Sequence, residues 1–215
     1  MKLTSFETFT ELARRGTFVP VCKEIVADLL TPVSAFLKIA EHSDYAFLLE
    51  SVEGGEHVGR YSFLGKDPFL ILKARGGQTT FERMGQVSVS DRPFVATVRE
   101  VMAEFHSPWV PGLPRFTGGA VGYLGYDAAA WFEPVPLQPT DVVDDEAGFM
   151  LFDTVLAFDH VRHRILIIAN ARITGDADLE ALYQFACARI EFVERELDRP
   201  LSTASATARA APRAR

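Results

Sequence analysis

The sequence predicts an α+β fold, with antiparallel β-sheets packed sandwich-like and flanked by about four helices. Three observations carry that expectation. Short β-rich runs between residues 45 and 90 are separated by glycine-bearing turns, as in an antiparallel meander. Two strongly β-like runs, 148–159 and 164–170, flank a turn at 160–163. A long segment, 176–199, repeats Leu179, Leu182, Ala186, Ile190, Val193 and Leu197 at helical spacing.

The elements follow in chain order. Residues 1–16 read as a short helix and turn closing at Gly16, and 17–21 as an edge strand, because Pro20 cannot donate to a ladder. Thr31-Pro32 has the chemistry of a helix start, a capping hydroxyl followed by proline in the first turn, with Val33, Phe36, Leu37 and Ala40 as the expected apolar face. YAFLLES (45–51) is apolar on both faces until its end, which predicts a buried strand. Strands are expected at 60–64, 69–74, 78–82 and 87–90, with turns at Lys66-Asp67-Pro68, Gly76-Gly77 and Met84-Gly85. Residues 93–106 predict a helix with Phe94, Val98, Val101, Met102 and Phe105 on one stripe. TGGAVGYLGYD (117–127) has glycine at nearly every third position of a β-like run, which suits close backbone approach beneath Tyr123 and Tyr126. The last helix has Asp176 and Asp178 at its start and Arg195 and Arg199 at its end, as the helix dipole favours, and Pro200 stops it. Residues 1–200 thus form the expected domain, and 201–215, rich in Ala, Ser, Thr and Arg, an expected disordered linker-like tail.

Composition narrows the function. The chain has 215 residues, 48% hydrophobic and 24% charged, with a formal charge of −7. An acidic body repels phosphate backbones, so no nucleic-acid partner is expected. The start carries no signal-peptide pattern and no segment has the apolar length of a membrane span, so the chain is expected in the cytoplasm with no membrane contact. Two distant cysteines, Cys22 and Cys187, suit idle thiols rather than a disulfide scaffold or zinc site. The five histidines show no paired helical spacing, and there is no phosphate loop, HExxH or GxSxG element. No metal or cofactor is expected in this chain.

Two places invite a ligand. Glu50 and Ser51 end the apolar YAFLLES run. A carboxylate there either is a solvated strand end or needs a partner such as an amino-acid ammonium, with Ser51 bonding the ligand's polar groups. Adjacent strand side chains point to opposite faces, so both reach one ligand only where the strand bends or ends. In GRYSFLG (59–65), Arg60 is the expected counter-ion to Glu50 across the two strands, either as a structural pair or to orient Glu50 toward a ligand.

LLES at 48–51, GRYSFLG at 59–65, GGAVGYLGYD at 118–127 with Phe132-Glu133, and FMLFDTVLAFDH at 149–160 together resemble the N-terminal region of anthranilate synthase component I. Residues 18–39 resemble that family too, and the likeness runs from about residue 17 to 200. The related aminodeoxychorismate synthase component I of the folate pathway shares the architecture, but the LLES and GRYSFLG wording leans to the anthranilate enzyme. The resemblance implies that the LLES segment belongs to a feedback site for L-tryptophan, which points to Ser51 first, then Glu50, with Arg60 in support. It also implies that Mg²⁺, chorismate and the catalytic residues belong to a C-terminal chorismate-binding domain absent from this sequence. This chain is then not expected to catalyse alone. A separate chorismate-binding chain and a glutamine amidotransferase subunit are the implied partners, with a truncated gene as the alternative to a natural split. The complete lyase converts chorismate and ammonia or glutamine to anthranilate and pyruvate in tryptophan biosynthesis. The alternative is a non-catalytic interaction module with an exposed apolar face.

Overall fold

A computed structural model of the chain describes residues 3–27, 29–50, 59–135 and 145–201. Among the described residues, the expected α+β architecture is present as two five-stranded antiparallel sheets, four α-helices and one 3-10 helix.

The first sheet contains β1 (Phe18–Val26), β2 (Ala46–Leu49), β3 (Tyr61–Lys66), β9 (Thr154–Asp159) and β10 (Arg164–Arg172), in the order β1-β10-β9-β3-β2. The second contains β4 (Leu70–Arg75), β5 (Gln78–Arg83), β6 (Gln86–Ser90), β7 (Gly119–Leu124) and β8 (Ala147–Phe152), in the order β6-β5-β4-β8-β7. Helices α1 (Phe6–Ala13), α2 (Pro32–Ile39) and α4 (Leu179–Asp198) cover one face of the first sheet, where Phe9, Ile39 and Ile190 pack with Val19, Leu64 and Ile167. On its other face Phe47, Val155 and Ile168 meet Phe152, Val121 and Met150 of the second sheet. Helix α3 (Phe94–Ala103) closes the far side of the second sheet over Leu70, Leu72 and Leu151. The result is a helix–sheet–sheet–helix sandwich built on period-2 alternation, with β10 buried along nearly its whole length because both its faces are covered.

Helix ends follow the sequence chemistry. Thr31 and Ser34 form a reciprocal capping box at the start of α2, with Ser34 N–H donating to Thr31 Oγ1 at 3.1 Å and Thr31 N–H to Ser34 Oγ at 2.9 Å. Thr31→Ala is expected to lower stability by about 1 kcal/mol, read as a lower thermal midpoint; an unchanged midpoint would show the cap to be dispensable. Asp178 caps α4 through Ala181 N–H at 3.1 Å.

Five expectations are corrected. Strand β1 is an edge strand carrying Pro20, as expected, but runs nine residues to Val26 rather than stopping at Val21. Helix α2 buries Pro32, Ala35 and Ile39, leaving Val33 49% and Leu37 43% exposed; it is apolar nearly all round, so periodicity alone could not choose its face. Of the YAFLLES segment, Ala46–Leu49 form edge strand β2, in which only Phe47 is buried and Leu49 is 48% exposed, because its apolar faces meet the helical layer and second sheet only at the sandwich margin. The meander is interrupted: the chain leaves the first sheet at Asp67, whose φ is 51°, so β3 and β4 lie in different sheets. The run 148–159 likewise is two strands, β8 and β9, and Asp153 carries the chain from one sheet to the other.

Residues 201–215 were expected to form a tail; all but Leu201 lie outside the described residues.

Candidate functional site at the end of strands β2 and β3

Strands β2 and β3 pair antiparallel with Leu49 opposite Phe63. The end of β2 and the start of β3 therefore share one margin of the first sheet. Glu50 follows β2 directly and is exposed, which supports a solvated strand end rather than the buried carboxylate considered above. Ser51 lies outside the described residues.

Arg60 does not hold Glu50 as its counter-ion. Its guanidinium makes a forked contact with Asp159 at the end of β9, Nε donating at 3.1 Å and Nη2 at 2.9 Å. Strand β3 pairs with β9, not only with β2, and the register sets Tyr61 opposite Asp159, which brings the two side chains together. Asp159 is fully buried at its side chain and also accepts from the Arg162 N–H at 3.3 Å and from Arg164 at 3.4 Å. Burial pushes its carboxyl up, but the Arg60 hydrogen bonds and charge outweigh burial and hold it below its ordinary 3.8. The same contact raises Arg60 above its usual value. The guanidinium also lies 4.8 Å from the Tyr61 ring centroid, a cation–π arrangement.

Two further groups complete the margin. Buried Ser62 shares a 2.8 Å hydrogen bond with His160 Nε2, and the His160 N–H donates to the Arg60 carbonyl at 3.0 Å. Asp159, Ser62 and His160 were missed as site residues. The signal was available: Asp159 ends an apolar run just as Glu50 does, and the same desolvation argument applied to it. Chemically, this margin offers an exposed carboxylate at Glu50 beside a strand end whose backbone is pinned by a charged hydrogen-bond network.

Among the described residues, no three His, Cys, Asp or Glu side chains gather as a metal set. The buried carboxylates Asp153, Asp159 and Glu196 face Arg189, Arg60 and Lys66 instead, so these residues do not fit a divalent cation. Cys22 and Cys187 are free, and burial pushes the Cys22 thiol up to about 12, which leaves it an unreactive core thiol. Among the described residues no helix is long and apolar enough to cross a membrane.

The glycine run serves backbone approach. A Cβ on Gly122 would stand 1.9 Å from the Gly148 carbonyl oxygen, and one on Gly118 2.7 Å from Asn170 Nδ2. Tyr123 does lie over this surface, against Gly148, but Tyr126 is 93% exposed.

No family model matches the chain. Anthranilate synthase component 1 of Synechocystis sp. is 43% identical over 200 residues, which covers 91% of this chain and 39% of that protein. The chain is related to anthranilate synthase component I. The Acetivibrio thermocellus protein of that name is 41% identical over 86% of this chain and 37% of its own length, and the Mycobacterium bovis one 34% identical over 99% and 43%. Anthranilate synthase component I from Streptococcus pneumoniae, a solved structure, superposes with a TM-score of 0.52 at 26% identity, covering 84% of this chain and 38% of that one. The chain thus spans about two-fifths of the length of its anthranilate synthase relatives, and its sandwich fits their N-terminal part.

Proposed function

We propose that this chain supplies the L-tryptophan-responsive, regulatory part of an anthranilate synthase component I. What supports the reading is that Leu48 and Leu49 of LLES pair with Leu64 and Phe63 of GRYSFLG, two segments that resemble that family, so that Glu50 and Arg60 lie toward one margin of β2 and β3. On this reading the ligand's ammonium pairs with Glu50 and its polar groups bond the Ser51 hydroxyl. Arg60, committed to Asp159, holds the start of β3 in place.

Catalysis belongs to a chorismate-binding domain outside the matched segment, as a continuation or a separate chain. With that domain and its Mg²⁺, and with a component II amidotransferase delivering ammonia from glutamine, the assembly turns chorismate into anthranilate and pyruvate in the cytoplasm.

Calorimetric titration of L-tryptophan into the full chain tests the assignment. Saturable heat that Ser51→Ala abolishes and Glu50→Gln weakens is the expected result. Equal heats from Ser51→Ala and the native chain would remove the site from this margin. No heat from the native chain would mean that sensing requires the chorismate-binding domain as well.

A second reading, an interaction module, is favoured by one surface. Tyr123 and Leu124 on edge strand β7, with Tyr126 and Phe132 beyond it, are 46% to 93% exposed. An edge with exposed aromatics is a surface that another chain or domain can cover.

A further inference from the structure

A groove of about 290 Å³ opens between α4 and the far end of β3, near the lower limit of small-molecule sites. It lies six residues along β3 from Arg60, roughly 20 Å away at the rise of a strand, so it is separate from the margin described above. Ile39, Leu156 and Val193 give it an apolar lining, and Phe185 and Phe192, 59% and 46% exposed, form its aromatic part.

Its charges are unevenly matched. Lys66 donates to Glu196 Oε1 at 2.6 Å and lies 3.5 Å from Asp67, while Arg189 stands 2.7 Å from Asp153 Oδ1. Both cations are also stacked on the aromatics, Lys66 5.2 Å from the Phe192 centroid and Arg189 4.6 Å from that of Phe185. Three carboxylates thus face two cations. Asp153 and Glu196 are each only 5% exposed, and each keeps one buried oxygen, Oδ2 and Oε2, with no donor. A buried acceptor without a donor is costly, and Asp153, which lines the groove, calls for a guest that brings N–H groups.

We propose that this groove binds a primary ammonium carried on a short apolar or aromatic body, the ammonium donating to Asp153 and the body packing against Phe185 and Phe192. An ammonium has three donors and no acceptor, which matches what the groove lacks. Asp153 and Arg189 both line the groove, and Arg189 is part-exposed, so on this proposal Arg189 turns toward solvent to let the ammonium reach the carboxylate. The site does not depend on the tryptophan reading above.

The test is a titration of the isotope-labelled full chain, followed by amide chemical shifts, with phenethylammonium and separately with 3-phenylpropanoate. The expected result is saturable shifts for phenethylammonium at residues 153–154 and 185–193 and none for the anion. Phe192→Ala, which removes an exposed ring without opening the core, is expected to weaken binding at least about tenfold. Asp153→Asn is expected to abolish it. Equal binding of both ions, affinity unchanged by Phe192→Ala, or no saturable shift at millimolar phenethylammonium would overturn the proposal.

Discussion

Asp159→Asn is expected to destabilise the chain by about 3 kcal/mol at neutral pH. The carboxylate is wholly buried and takes Arg60 in a forked contact, Arg164, and the Arg162 N–H. An amide keeps the volume but removes the charge and sets an NH₂ group against guanidinium donors. The effect sits at the low end for a broken buried pair because Arg60, 35% exposed, can turn to water, and Arg164 keeps Glu24. The pH dependence has a definite sign. Asp159 titrates below its ordinary 3.8 in the folded chain, so the folded state binds its proton less readily than the unfolded one. Its contribution is full above about pH 4 and is lost as pH falls through the lowered folded value. Denaturation curves for the native chain and Asp159→Asn should therefore be well separated at pH 7 and converge in acid. Parallel curves across that range would show that the pair is not what stabilises this margin.

Gly122→Ala is expected to cost about 3 kcal/mol, at the upper end of overpacking penalties, and to loosen β7 first. The new methyl would stand 1.9 Å from the Gly148 carbonyl oxygen and 2.7 Å from Phe149 Cα. Both obstacles are backbone, so no rotamer change relieves them. The register that sets Gly122 opposite Phe149 must break or β7 must move off β8. Because β7 is an edge strand, it can detach without dissolving either core. Hydrogen exchange should show faster exchange of the 119–124 amides, with the first sheet protected as in the native chain. Native-like protection of β7 in the variant would mean that the close approach is not obligatory.

The sequence made some parts of this fold legible and hid others for physical reasons. The α4 stripe and the α3 stripe were readable because each is a single amphipathic face on a single core. The turn between β9 and β10 was readable because polar residues interrupt two long apolar runs. What alternation cannot report is which sheet a strand joins. FMLFDTVLAFDH reads as one strand, yet Asp153 splits it between two sheets; the carboxylate in the middle of an apolar run was the mark of the crossing. The candidate site was half legible. Period-2 pairing placed Glu50 and Arg60 near one margin, but the partner of Arg60 came from β9, about a hundred residues away, through a pairing that no local pattern announces. The groove beside α4 was not legible at all, because Lys66, Asp153 and Arg189 meet only once three separate elements have packed.

The most direct measurement of the central claim is the amide chemical-shift footprint of L-tryptophan on the isotope-labelled full chain. The account predicts shifts confined to the β2–β3 margin, at residues 48–51, 60–62 and 159–160, and their loss in Ser51→Ala. Shifts centred instead on residues 185–193 beside α4, or a footprint unchanged by Ser51→Ala, would contradict it.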